Sequence, residues 1–205
     1  PDPGPTPGGG GTGGSVGVIG TIMMGTAAGD TIDGGGGSQT IFGMDGDDLI
    51  IGGRDLLASR DINNTIPVAS LPDQTESDDA ADALYGGRGN DTIMGGAGND
   101  TLDGGDGDDV LRGQAGADVF RGGAGSDTVD YSMESPFQLL VNLELNIASG
   151  GTGSGDTFFG IENLIGSDDR IDRFIGTSAD NHFWGQGGGD YFNGRDGNDI
   201  LDGGR

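Results

Sequence analysis

From Gly86 to Asp130 one aliphatic or aromatic residue recurs at every ninth position, as Ile93, Leu102, Leu111, Phe120 and Val129, with glycines and polar residues between. The five units run without a gap as GGRGNDTIM, GGAGNDTLD, GGDGDDVLR, GQAGADVFR and GGAGSDTVD. Numbered from one to nine, glycine dominates positions one, two and four, aspartate holds position six and an apolar residue holds position eight. The same frame recovers three units from Gly25 to Ile51, a degenerate one from Ser77 to Tyr85 and four from Ser167 to Asp202, about thirteen in all. Position eight never fails: outside the central run it is Ile32, Ile41, Ile50, Leu84, Phe174, Phe183, Phe192 and Leu201. A glycine-rich hexapeptide can take positive φ and turn tightly without steric cost. A segment such as Thr92-Ile93-Met94 suits a short strand. Each unit is therefore one turn and one strand, and the sequence predicts an all-β chain. A constant length of nine stacks the strands in register, so the position-eight side chains line one narrow interior. No unit can bury its apolar residue alone, and stability requires several units stacked.

Stacked strands imply stacked turns. Position six is aspartate at Asp30, Asp48, Asp82, Asp91, Asp100, Asp109, Asp118, Asp127, Asp172, Asp190 and Asp199, and departs from it at Gln39 and Asn181. These carboxylates would lie in rows with a spacing of about 4.8 Å, the distance between neighbouring strands. Such a row repels itself unless a cation lies within it. Calcium fits, as a hard cation that takes six to eight oxygens from carboxylates and from the carbonyls of glycine turns. Zinc does not, because the chain has one histidine and no cysteine.

The tandem GGxGxDxUx pattern of Gly86 to Asp130 resembles the RTX (repeats-in-toxin) calcium-binding nonapeptide repeat of type I-secreted bacterial proteins. Counting the degenerate units, the resemblance covers roughly two thirds of the chain. It implies a right-handed parallel β-roll, a β-solenoid with two units per coil, holding calcium between turns on the same edge. It also implies secretion through a type I channel, unfolded in low-calcium cytosol and folded outside, hence a secreted or bacterial cell-surface location. Carried onto this chain, it makes the position-six aspartates the side-chain metal ligands. Carbonyls of Gly86, Arg88, Gly89, Gly95, Ala97, Gly98, Gly104, Asp106, Gly107, Gly113, Ala115 and Gly116 would complete the shells. Gln39 and Asn181 are expected to weaken or lose sites, and the units starting at Ser77 and Ser167, which lack leading glycines, to coordinate incompletely.

Charge sharpens the picture. Acidic residues outnumber basic ones 34 to 9 for a formal charge of −25, and 48 of the 205 residues are glycine. So acidic and glycine-rich a chain is not expected to order by itself. About ten Ca²⁺ would offset most of that charge, at affinities of about 10⁻⁴ to 10⁻³ M. The few, dispersed basic residues exclude nucleic acid and anionic lipid as partners. The absence of cysteine rules out a disulfide framework. No apolar run is long enough to span a bilayer, and no charged-then-apolar signal segment opens the chain. An opening Pro1 and a closing Gly203-Gly204-Arg205, like the start of another unit, suggest a piece of something longer, with any secretion signal beyond Arg205 out of view.

The organisation expected is a Pro/Gly-rich linker and lead-in strand at 1–24, a first repeat block at 25–51, a loop insertion at 52–76, a central block at 77–130, an inter-block β segment at 131–166 and a final, truncated block at 167–205. The insertion, with Leu56-Leu57-Ala58-Ser59-Arg60 and the prolines Pro67 and Pro72, is expected to cap the neighbouring interior. The inter-block segment is 36 residues, four units long, so the roll is expected to continue in phase through strands such as Gln138 to Leu145 and Ile161 to Ile165. Its Tyr131-Ser132, Val141-Asn142-Leu143, Gly155-Asp156 and Ile161 to Ser167 also resemble the stretch found between RTX blocks. Met23-Met24 and Trp184 read as end caps in preference to exposed apolar contacts.

Little points to catalysis. Gly13-Gly14-Ser15-Val16-Gly17 matches GxSxG only formally, with no strand before it and no apolar helix after it. His182, the single histidine, sits at position seven of a degenerate unit and reads as a surface residue. Carboxylate clusters such as Asp45-Gly46-Asp47-Asp48 could serve acid-base chemistry on sugars, but their repetition reads as ligation. Position three varies as Arg88, Ala97, Asp106, Ala115 and Ala124, so the regular outward array of an ice-binding face is missing. The chain therefore reads as a non-enzymatic, calcium-gated structural module. Its host is either a surface-layer, adhesin or filament protein that self-associates or meets cell-surface partners, or a secreted protease, lipase, epimerase or toxin of which this is the noncatalytic tail.

Overall fold

A computed structural model describes residues 21–34, 38–52, 81–133, 138–151, 153–168 and 170–205. Every regular element among them is a strand, and none is a helix long and apolar enough to cross a membrane. Ten strands precede the inter-block segment: β1 (Thr21–Met24), β2 (Thr31–Asp33), β3 (Gln39–Asp45), β4 (Leu49–Ile51), β5 (Ala83–Arg88), β6 (Thr92–Ala97), β7 (Thr101–Asp106), β8 (Val110–Ala115), β9 (Val119–Ala124) and β10 (Thr128–Asp130). Eight follow: β11 (Leu140–Asn142), β12 (Ile147–Ser149), β13 (Thr157–Phe159), β14 (Asn163–Ile165), β15 (Arg173–Ile175), β16 (His182–Trp184), β17 (Tyr191–Asn193) and β18 (Ile200–Asp202).

Successive strands alternate between two faces. One sheet runs β1-β3-β5-β7-β9-β13, and the opposite one runs β18-β16-β14-β10-β8-β6-β4-β2; a third runs β12-β11-β15-β17. Within the central block each strand pairs in parallel with the strand two units on, as Leu84 with Leu102 and Ile93 with Leu111, eighteen residues apart. Two units thus make one coil, and the chain is a parallel β-roll. Across the insertion the same pairing joins Ile41 to Leu84 and Ile50 to Ile93, forty-three residues apart. The excess of twenty-five is the length of the segment 52–76, so the coil resumes in register beyond it.

The linker up to Gly20, the insertion from 53 onward and the degenerate unit before Ala81 lie outside the described residues, as does the expected capping role of Leu56 to Arg60.

The interior is one cluster of position-eight side chains, in which Ile41, Ile50, Leu84, Ile93, Leu102, Leu111, Phe120, Val129, Phe174 and Phe183 have no exposed surface. It is aliphatic in the first half and aromatic in the second, where Phe120 stacks on Phe158 and Phe174 on Phe192 with ring centroids 5.6 and 5.4 Å apart. Leu201 is an exception, 46% exposed on β18, the end strand of its sheet among the described residues. Each buried residue bridges two coils, so Leu102→Ala is expected to lower stability by about 2–5 kcal/mol. Urea denaturation in saturating calcium measures it; a change below half that lower bound would mean that the column is not a packed core.

Two expectations are corrected. The inter-block segment does not continue the roll as four in-phase units: Leu140–Asn142 pairs antiparallel with Ile147–Ser149, a hairpin turned through Asn146 at φ 57°. Phase is regained unevenly, with Phe120 paired to Phe158, Val129 to Leu164 and Leu164 to Phe183, separations of 38, 35 and 19 residues. Trp184 does not cap an end, because β16 lies between β14 and β18, and its ring stacks on His182 instead. Of the two methionines, Met23, on the end strand β1, packs on the core as expected of a cap, while Met24 is exposed.

Candidate metal centre

The turn Gly86 to Asp91 shows how each site is built. Position two has a left-handed backbone, at Gly87 with φ 119°, and so does position four, at Gly89 with φ 119°. Position one is glycine for a different reason: a Cβ on Gly86 would collide with the Asp91 carboxylate and the carbonyl oxygen of Gly104, in the next turn on that edge. A carboxylate oxygen and a neighbouring carbonyl therefore converge where only a hydrogen side chain leaves room.

The position-six carboxylates form two ladders. On one edge, each backbone N–H donates to the Oδ1 of the next: Asp30 to Asp48, Asp48 to Asp91, Asp91 to Asp109 and Asp109 to Asp127, at 2.7 to 2.9 Å. On the other, Asp82 donates to Asp100 and Asp100 to Asp118, both at 2.8 Å, and further along Asp172 donates to Asp190 at 2.8 Å. Oδ1 is thus consumed by the fold. The Oδ2 atoms of Asp48, Asp91, Asp109, Asp118, Asp127 and Asp190 are buried with no hydrogen-bond partner.

A buried, unpartnered carboxylate oxygen is costly. Burial pushes Asp109 up to about 7, partly offset by the hydrogen bond from Asp91 and reinforced by the neighbouring charges of Asp127 and Asp91. Asp118 rises to about 8 and Asp91 and Asp127 to about 6, again chiefly from burial. A cation at Oδ2 answers both the missing partner and the repulsion. No group of three or more acidic, histidine or cysteine side chains converges among the described residues. Most of the ligands must then be backbone carbonyls, the donor set of a hard cation. The carbonyls of Arg88, Asp106 and Ala115 each accept an inter-turn N–H, from Gly46, Gly89 and Gly98. The carbonyls of Gly104 and Gly113 lie against the position-one glycines Gly86 and Gly95.

Other rungs are satisfied without a cation. Thr26 donates to Asp30 Oδ2 from its N–H and hydroxyl, at 2.6 and 2.8 Å. Ser167, at the head of a unit lacking leading glycines, donates to Asp172 Oδ2 in the same way, at 2.7 and 3.0 Å. Asn181 directs its amide at the carbonyl of Glu162, 2.9 Å away. Gln39 stands in β3, and its side chain lies outside the described residues. Asp199 keeps the ladder, accepting the N–H of Asn181 at 2.9 Å. His182 lies half-buried against Trp184, its pKa lowered by burial.

Two rungs escape the nine-residue frame. Asp156 accepts the N–H of Asp118 at 2.8 Å, and Glu162 accepts that of Asp127 at 3.1 Å. The signal was present as Asp156-Thr157-Phe158 and Glu162-Asn163-Leu164, each an acidic residue two before an apolar one, the first behind the glycine run Gly150-Gly151, Gly153 and Gly155 but out of the nine-residue frame, the second behind Gly160 alone. Asp156 Oδ2 accepts the hydroxyl of Tyr131 at 2.8 Å, so a phenol stands where other rungs are open.

Without metal, acid is expected to favour the fold. Carboxyls whose folded-state pKa is raised stabilise the folded chain when protonated, a contribution fully present below about pH 4 and lost as pH rises through about 6 to 8. Circular dichroism in chelator should show more β structure at pH 5 than at pH 8; equal spectra would contradict the burial of these groups.

A family model of the RTX calcium-binding nonapeptide repeat matches the chain four times, over residues 24–55, 76–111, 103–132 and 166–201, more than half of its length. No curated protein matches it.

Proposed function

This chain belongs to the RTX calcium-binding nonapeptide repeat family, and from that membership we propose that it is an extracellular structural module, folded by calcium after export rather than acting as a catalyst. Repeats of this family bind Ca²⁺ and are typical of proteins that leave the cell by type I secretion. The observation that carries the reading is the row of buried, unpartnered Oδ2 atoms at Asp48, Asp91, Asp109, Asp118, Asp127 and Asp190. Calcium supplies their missing partner, cancels the repulsion along each ladder and ties successive turns together. In cytosol the charge stays uncompensated and the chain stays loose enough for a secretion channel; outside, it orders.

These six positions take ions first, and the rungs closed by Thr26, Tyr131, Ser167 and the Asn181 amide take none. The stoichiometry is then below the about ten ions suggested by counting aspartates. Equilibrium dialysis counts the ions, and light-scattering mass on the same sample separates two hosts. Assembly with calcium supports a subunit of a surface layer, adhesin or filament, whereas a calcium-loaded monomer supports a module carried by a secreted enzyme or toxin. Fewer than three ions bound at 10 mM Ca²⁺ would sink the proposal.

A further inference from the structure

We propose that the abbreviated turn Gly160–Glu162, outside every matched repeat, closes the divalent-cation site of the turn Gly122–Asp127 from the next coil, with Glu162 in the role of a position-six aspartate. The inference rests on the calcium reading above and adds a ligand set to it.

Registration fixes which residues correspond. Phe159 pairs with Arg121 and Asn163 with Thr128, so residues 160–162 do in three residues what 122–127 does in six. Gly160 therefore stands opposite Gly122 and Glu162 opposite Asp127. The backbone agrees, because Asn163 N–H donates to the Asp127 carbonyl at 2.9 Å, as Thr128 N–H donates to that of Asp109 at 2.9 Å. The ladder is likewise continued by the Asp127 N–H on Glu162 Oε2.

The pocket itself is reproduced. A Cβ on Gly122 would collide with Asp127 Oδ2 and the carbonyl oxygen of Gly160, as one on Gly86 would with Asp91 Oδ2 and the carbonyl oxygen of Gly104. Asp127 has no exposed surface, and its Oδ2 has no partner. Three missing residues remove carbonyls from this side of the site. Glu162, one methylene longer than aspartate, supplies charge in their place across the gap. The opposite edge is resolved differently at the same break, since Tyr131 already occupies Asp156 Oδ2. One edge thus keeps a cation through the interruption, and the other replaces it with a hydroxyl.

The test is a crystal structure of the wild-type chain grown in calcium, with anomalous differences collected at long wavelength. The expected map has peaks beside Asp91 and Asp109, a further peak between Asp127 and Gly160, and none at Tyr131–Asp156. Peaks at Asp91 and Asp109 with none at Asp127 overturn this inference and leave the proposed function standing; no peak anywhere on the roll overturns the function itself. Glu162→Gln keeps an acceptor for the Asp127 N–H but removes the charge. Crystals of that variant are expected to lose at least half of the Asp127 peak relative to the Asp109 peak, and an unchanged ratio removes Glu162 from the site.

Discussion

Asp118→Asn is expected to destabilise the roll in saturating calcium and to stabilise it in chelator. Asp118 is buried, its Oδ1 accepts the Asp100 N–H at 2.8 Å and its Oδ2 has no partner. Burial raises its pKa to about 8, so at neutral pH the metal-free fold holds a carboxyl poorly suited to its surroundings. An amide keeps the Oδ1 acceptor and replaces the other oxygen with a donor. Asn181 already stands as an amide at position six, its Oδ1 accepting the Thr177 N–H and its Nδ2 donating to the Glu162 carbonyl, both at 2.9 Å. Without metal the exchange should therefore gain about 1 kcal/mol, the scale of one net hydrogen bond. With calcium at a hundred times its dissociation constant, losing the site costs about 2.7 kcal/mol. Paired denaturation curves in calcium and in chelator decide it, and the same sign in both would mean that Asp118 serves the fold and not the ion.

Gly116→Ala is expected to be the more damaging change. Gly116 has φ 154°, outside the left-handed region that side chains tolerate, and its Cβ would overlap the carbonyl oxygen of Gly98 in the preceding coil. Backbone meets backbone there, so the two turns must separate. Strain and lost inter-turn contact together are expected to cost about 3 kcal/mol or more. Gly189→Ala is the control, with nothing within 4 Å of its added Cβ and no positive φ. It should move stability by less than about 0.5 kcal/mol. Equal effects of the two substitutions would contradict the close stacking of turns.

Much of this was legible because a fixed spacing carries the fold. Nine residues per unit put Leu84 over Leu102 and Ile93 over Leu111, and an insertion of known length leaves the pairing of Ile41 with Leu84 intact. The position-six aspartates fall into ladders for the same reason. The glycine pattern separates under the structure into three demands. Position one needs room beside the carboxylate, and position two accepts Met44, Gln114, Gln186 and Arg195 at φ of 68° to 92°. Position four runs from 111° to 154° at Gly46, Gly89, Gly98, Gly107, Gly116, Gly125, Gly188 and Gly197, a range open to glycine alone.

What was not legible depends on contacts between segments of irregular length. A 36-residue interruption looks in phase by arithmetic, yet the chain spends part of it on the hairpin of Leu140–Asn142 with Ile147–Ser149 and recovers with unequal turns. Asp156 and Glu162 join the ladders through pairing with β9 and β10, and the frame that finds the other aspartates passes over both. Which carboxylates already have a partner was equally hidden. Tyr131 reaches Asp156 from twenty-five residues away, and only the folded chain brings them together.

The most direct measurement is far-UV circular dichroism of the chelator-treated chain at pH 7.5 during a calcium titration. The buried, unpartnered carboxylates require that β structure appear cooperatively at about 10⁻⁴ to 10⁻³ M calcium and vanish when chelator is restored. A chain already fully folded in chelator, with an unfolding midpoint that calcium does not move, would contradict the metal-gated roll, as would one still disordered in several millimolar calcium.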